Sequence, residues 1–514
     1  MDLADGVTVN STTRDVATVV EAGSSIVLTF SNEWSATTTT FAEITVGVQA
    51  SGIDIVPGTI EPVTFNHGSR SVTMAPYSQV TSDPVLMAVH ASESISVSMA
   101  VTGAATVSVH YCCYGRADSY ATKNGAGNLT TSPTGAGFDP LLPNTNIRWL
   151  TAISVSGSPA LGTVVAFGDS ITDGFGDANG GFSWVNALQS RIAKLPPTDQ
   201  MSVVNEGIAG NTLTAFPLPR ETYEQTSGGV PGVSRLSEAL ALPGVKDLVL
   251  FLGTNDIWFG AGGLTGHSLA PYGTAAAIEN GMSQVIAETH AHGVKIFGIT
   301  LLPRMTPGGA DREKHELWLP SEQSVLSAVN AWMLSPSSGF DAVINLGAVM
   351  GDVYDGACQP TLPYAPYFNL DDLHPNVAGQ TVMANAISTA LFGLAQAPQV
   401  PPVVSATLTA GCPGASVAAQ VLAAGRQTSP TTSTSTTTTT TTSTTTTTTT
   451  PVTPPASSRS GWWRFATYLA IALLALVVAG LWSARRRALR RRAARRRTRR
   501  PPNYRGPTPP QHRR

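Results

Sequence analysis

Thr163-Val164-Val165-Ala166-Phe167-Gly168-Asp169-Ser170-Ile171-Thr172-Asp173-Gly174 is an apolar run that stops at a glycine and passes through two small polar residues into a helical pattern. Nothing polar interrupts Val164 to Phe167, so both faces of this strand are expected to be buried, as in a parallel sheet covered by helices. The rhythm recurs downstream. Strands are predicted over 202–204, 246–252, 294–301 and 342–346. A helix over 182–193 places Trp184, Val185, Leu188 and Ile192 on one face, and another over 274–292 does the same with Ile278, Met282, Val285 and Ile286. A third, over 321–334, takes Ser321 as its N-cap, and a closing helix runs over 375–394 from Pro375, a residue suited to a first turn. Strand and helix thus alternate over 149–396. The expectation is an α/β domain with a doubly wound parallel five-stranded sheet in three α/β/α layers.

In such sheets ligands bind beyond the carboxyl ends of the strands. Four polar clusters fall there. Gly168 to Gly174 follows the first strand, Asn205-Glu206-Gly207-Ile208-Ala209-Gly210-Asn211-Thr212 the second, and Gly253-Thr254-Asn255-Asp256 the third; Asp371-Asp372-Leu373-His374-Pro375-Asn376 precedes the last helix. A hydroxyl, small residues that bare their backbone N–H groups, a carboxamide and an Asp/His pair are what acyl transfer to a serine requires. Serine becomes a nucleophile when an imidazole takes its proton, and the imidazolium needs a carboxylate behind it. Each residue has a plainer reading. Gly168-Asp169-Ser170 alone is as readily a turn with a capping side chain, Asn255 a partner for loop carbonyls, and Asp256 a cap for the following turn. His374 is one of nine histidines. The four blocks together, in this order, override those readings. Gly207 competes with Gly210 for an oxyanion role, and Trp258 and Phe259 read as core or pocket lining and are left out of the site.

These blocks resemble those of the SGNH hydrolases, the GDSL-like esterases and lipases, over about 235 residues from Val164 to Leu394. The surrounding sequences LALPGVKDLVLFLGTNDIW and NLDDLHPNVAGQ, with the β-rich part before them, resemble its bacterial extracellular, carbohydrate-esterase-like branch. The resemblance implies a flavodoxin-like SGNH fold and a serine ester hydrolase with no metal and no cofactor. It implies Ser170 as nucleophile, His374 as general base and Asp371 as the acid behind it. The oxyanion hole would comprise the Ser170 and Gly210 N–H groups and the Asn255 amide. Of the adjacent carboxylates, Asp371 is expected to face His374, and Asp372 to face solvent or cap the helix.

Upstream, 1–115 is a succession of short β-branched alternating segments at 14–20, 25–30, 41–48, 84–90, 94–101 and 106–111, the pattern of an all-β sandwich or jelly roll serving as an accessory domain. Residues 116–148 are rich in Gly, Ser, Pro and Asn and read as a linker. Downstream, 397–460 reads as a Pro/Thr-rich linker and stalk, including twenty consecutive Ser or Thr residues over 431–450. At about 3.1 Å per residue that tract spans about 60 Å. Residues 465–482 (FATYLAIALLALVVAGLW) carry no charge. As a helix they would be about 27 Å long, close to the hydrocarbon core of a bilayer. Trp462, Trp463 and Trp482 sit at the two ends of this run, so 461–483 is expected to cross a membrane once. The Arg-rich tail 484–514 then lies in the cytoplasm and everything before Arg464 outside the cell. A buried helix with a nucleic-acid-binding tail is the other reading of this end. No secretory signal is visible at Met1.

Charged residues make up 12% of the 514, about half the usual share, which suits an exported protein. The net charge of -2 conceals an asymmetry: 14 arginines and no acid lie in 483–514, so the 17 basic and 33 acidic residues before it carry -16. Nucleic acid is therefore not an expected partner of the main body. The expected partners are a small-molecule or polysaccharide acyl ester, with a lipid ester or thioester (a lipase or thioesterase of the same family) as the alternative, and, through the C-terminal helix, a membrane. Cys112, Cys113, Cys358 and Cys412 have no metal-ligand spacing; a Cys358–Cys412 disulfide and free thiols both remain open. A surface adhesin or glycan-binding protein with an inert hydrolase domain fits the flanking segments equally well. The complete set Ser170, Gly210, Asn255, Asp371 and His374 argues against it.

Overall fold

Alternating β-branched residues near the N-terminus give antiparallel strands, and the unbroken apolar runs further on give a parallel sheet. The computed structural model describes residues 3–110, 119–139, 146–175, 182–214, 230–260, 273–304, 318–351, 362–369 and 371–394. The cysteines, the stalk, the apolar segment 465–482 and the Arg-rich tail lie outside them. Among the described residues no helix is long and apolar enough to cross a membrane.

The β-rich part consists of three antiparallel sheets. One has the order β1 (Leu3–Val9), β10 (Ala104–His110), β12 (Ile147–Arg148). The largest runs β11 (Ser119–Ala121), β2 (Thr12–Val19), β9 (Glu93–Thr102), β4 (Thr39–Ser51), β5 (Asp54–Ile55), with β6 (Glu61–Val63) and β7 (Val72–Met74) also paired to β4. In the third, β3 (Ser25–Ser31) lies between β13 (Leu150–Ser156) and β8 (Gln79–Thr81). The sheets share a core that includes Ile26, Leu28, Phe30, Phe41, Ile44, Ile95, Val97, Val109 and Trp149. Segment 84–90 is not a strand; it touches the sheet only through single bridges at Val85 and Val89.

The expected boundary at 115 and the linker 116–148 need correction, because strands β11, β12 and β13 complete the antiparallel sheets. Residues between them are laid onto the largest sheet by polar side chains. Arg14 donates to Ser132 O at 2.6 Å, Thr45 Oγ1 donates to Thr130 O at 2.8 Å, and Leu129 N donates to Thr12 Oγ1 at 2.9 Å. Side-chain hydrogen bonds of this kind fix a segment without any hydrophobic period, so composition alone reads it as loop. The α/β part therefore begins after β13 and not at 149.

Its five strands are β14 (Thr163–Gly168), β15 (Ser202–Gly207), β16 (Val245–Phe251), β17 (Lys295–Ile299) and β18 (Ala342–Ile344). They pair in parallel in the order β15-β14-β16-β17-β18, as expected of a doubly wound sheet. Helices α1 (Ser170–Asp173), α2 (Trp184–Ile192), α3 (Gly232–Leu240), α4 (Thr254–Gly260), α5 (Ala275–Ala291), α6 (Pro320–Met333), α7 (Leu346–Met350) and α8 (Val377–Phe392) accompany them. The apolar faces read for α2 and α5 are buried in the core. Two helix starts differ from expectation. Ser321 lies inside α6, whose first residue is Pro320, with Glu322 accepting from Leu319 N at 2.6 Å. Helix α8 starts after Pro375, because Asn376 caps it by accepting from Ala378 N and Gly379 N. The described residues of both parts fall within one compact unit.

Candidate active site

Gly168 at the end of β14 is in register with Gly207 of β15 and Phe251 of β16, so three loops open side by side at one sheet edge. A Cβ at Gly207 would lie 2.2 Å from the backbone N of Asp173, which explains a glycine there by packing. Gly210 has φ of 75°, in the left-handed region, and holds the turn of its loop. Asp169 caps α1 by accepting from Ile171 N at 3.0 Å. That cap sets Ser170 at the first position of a one-turn helix.

From this turn the Ser170 hydroxyl meets Nε2 of His374 at 2.9 Å. His374 Nδ1 donates to Asp371 Oδ2 at 2.6 Å, which leaves Nε2 free to accept the serine proton. Asp371 Oδ1 accepts from Leu373 N at 3.1 Å and His374 N at 3.0 Å. Burial raises the Asp371 pKa, but these bonds and the nearby imidazole outweigh it, and the carboxyl sits below its ordinary range. The Phe175 ring, 4.5 Å from the imidazole centroid to centroid, packs against His374. Ser170 and His374 are both buried. Asp372 is buried too and does not face solvent as expected; it occupies a left-handed turn with φ of 53°.

Asn255 Nδ2 donates to Asn211 O at 2.8 Å, so its carboxamide lies against the residue after Gly210. The structure thus joins Ser170, His374 and Asp371 in one relay and ties the Asn255 and Gly210 loops beside it. Four further residues fix this arrangement, and the sequence did not single them out for it. Buried Arg235 donates to Gly168 O at 3.0 Å, Glu206 O at 2.9 Å and Asn211 Oδ1 at 3.0 Å, with the Phe167 ring 4.0 Å away. Burial lowers its pKa to about 10 against the pull of Glu206, so it stays cationic at neutral pH. Asp256 accepts from Leu213 N and Thr214 N, both at 2.8 Å, and burial raises its pKa. Asn205 accepts from Gly207 N at 2.9 Å. Gln380 on α8 accepts from Trp184 N at 2.8 Å and donates to Ile171 O at 3.2 Å, linking the helix after His374 to the turn of Ser170. Gln380 is one of several polar residues in α8, with Asn385 and Ser388 buried as well, so the sequence carries no signal that separates it from them.

A parallel sheet with a Ser–His–Asp relay at its carboxyl edge defines a hydrolase that attacks through serine. Residues 166–382 match the GDSL-like Lipase/Acylhydrolase family. This match places the α/β part in that family, and the protein is a serine ester hydrolase. No curated protein matches the chain. Solved structures similar to it include TesA, with 21% identity, covering 45% of this chain and 99% of that one, at a TM-score of 0.30. A variant of Axe2, an acetyl xylan esterase from Geobacillus stearothermophilus, shares 19% identity over 44% of this chain and 93% of that one, at 0.31. The aryl esterase of M. smegmatis shares 18% over 46% and 100%, at 0.32. The family assignment rests on the sequence match and the relay.

Proposed function

We propose that the protein hydrolyses an acyl ester through an acyl-enzyme on Ser170, that its substrate is an acylated glycan, and that it works outside the cell, anchored by 465–482. The observation that carries the mechanism is the Ser170–His374–Asp371 relay, at 2.9 and 2.6 Å. Ser170 Oγ attacks the ester carbonyl as His374 Nε2 takes its proton; the C–O bond then breaks and the alcohol leaves with that proton. Water repeats the sequence on the acyl-enzyme and releases the acid. Asp371 holds the imidazole tautomer and offsets the transient imidazolium. The Ser170 and Gly210 N–H groups and the Asn255 amide receive the oxyanion. The uncharged surface, the Ser/Thr tract and the Arg block support the exposed location, and the fused β-rich part supports a polymeric substrate.

The test is release of p-nitrophenol from short and long acyl esters, followed by acid release from acetylated polysaccharides. Ser170→Ala should abolish labelling by a fluorophosphonate probe and cut turnover at least about 1000-fold with folding intact. A fully active Ser170→Ala protein would refute the mechanism, and preference for long acyl chains over every acetylated glycan would refute the substrate. On intact cells, external protease should free a soluble fragment by cutting near 431–460 and spare the Arg tail.

A further inference from the structure

Strand β10 of the β-rich part ends at His110, whose Nε2 lies 3.2 Å from Oδ1 of Asp173. Asp173 is the last residue of α1, the helix that Ser170 opens, so this pair joins the β-rich part to the nucleophile turn. The Asp173 side chain is only 4% exposed. Its Oδ2 is buried with no hydrogen-bond partner among the described residues. The α/β part grips the same turn through its backbone: Asn205 Nδ2 donates to Thr172 O at 3.0 Å and Asp173 O at 3.4 Å. Those two bonds leave the carboxylate to His110. A carboxylate withdrawn from water is costly unless a donor or cation offsets it.

We propose that His110 is a positioning residue for the reaction at Ser170: by holding the Asp173 carboxylate in its buried place, the β-rich part fixes the turn that aims Oγ at His374. The inference rests on Ser170 being the nucleophile. Without His110, the least costly relief is for Asp173 to swing toward water. Helix α1 is a single turn, closed by Gly174 N donating to Ser170 O at 3.0 Å, so movement of Asp173 carries Ser170 with it. A displacement of about 1 Å at a reacting group costs about 100-fold in rate. On this reading the β-rich part helps to position the active site and is more than the accessory module that the sequence suggested.

The experiment uses the full chain and p-nitrophenyl acetate. His110→Ala should lower kcat by about 10-fold to 100-fold and leave KM within about 2-fold. Adding Asp173→Asn should restore most of the loss, because it removes the charge that His110 offsets; a contact serving only to dock the two parts would gain nothing from it. His110→Gln, which can still donate, should remain near wild type. If His110→Ala does not fold, His110→Asn, too short to reach Oδ1, carries the same expectations. Unchanged kcat in His110→Ala, or a loss that Asp173→Asn does not relieve, would overturn the inference. Failure of the wild-type chain to release p-nitrophenol would instead overturn the esterase reading.

Discussion

Asp371 accepts three hydrogen bonds, two of them from the backbone of its own turn, so its orientation is set before the imidazole is considered. Asp371→Asn should lower turnover by about 100-fold to 10,000-fold with little change in melting temperature, since Asn can accept the same backbone bonds but can favour the wrong imidazole tautomer. Asp372→Asn should leave turnover nearly unchanged, because Asn tolerates the left-handed backbone. Asp169 poses a different problem. Full burial pushes its carboxyl up to about 6, despite the Ile171 N–H and the nearness of His374 and Arg304. A raised carboxyl pKa stabilises the fold at low pH, and that contribution is lost as pH climbs from the ordinary value of about 4 through about 6. Asp169→Asn keeps the cap and removes the titration. Its melting temperature relative to wild type should therefore rise by several degrees across that window and then level off. A difference that stays flat over a differential-scanning pH series would contradict the assignment. Ser170, His374 and Asp371 were legible because each is a polar residue directly bounded by the strand or helix that places it. The burial of Asp372 was not, because nothing in Asp371-Asp372 announces which residue takes the left-handed turn.

At the level of elements, the strand ends are held by helix α3. Arg235 reaches across from it to the carbonyls closing β14 and β15, and to Asn211 in the loop after Gly210. Arg235→Met would leave those acceptors buried with fewer donors, which should cost about 3 kcal/mol or more. A lower midpoint in urea denaturation, with reduced kcat, is the expected outcome; a loss of stability under about 0.5 kcal/mol would show that water replaces the guanidinium. Nothing in the sequence around Arg235 marks it as a buried residue. Only the packing of α3 on β14 turns it inward. Strand positions were easier, since an apolar run has one reading once the sheet is parallel. Helix starts were harder, because Ser321 and Pro375 each had a competitor next to it, Pro320 and Asn376, that satisfied the first turn better.

For the whole molecule, the corrected boundary has a direct consequence. A fragment ending at 115 lacks β11, β12 and β13, and with them Trp149 and the strand that flanks β3. It should remain unfolded by circular dichroism, whereas a fragment ending at 158 should give a β spectrum and a cooperative melt. Equal folding of the two would mean that the first ten strands suffice. The boundary was illegible because 119–139 is fastened by isolated polar bonds and carries no repeating pattern.

Ser170 and His374 stand 204 residues apart, at opposite ends of the α/β part, and Gln380 beyond them clamps the two ends together. A ribosome adding about 5 to 20 residues per second needs on the order of 10 to 40 s to pass from one to the other. Throughout that interval the nascent chain carries a serine with no base to activate it. The enzyme is therefore latent while it is being made, and a message truncated anywhere before His374 yields a product whose serine lacks its base.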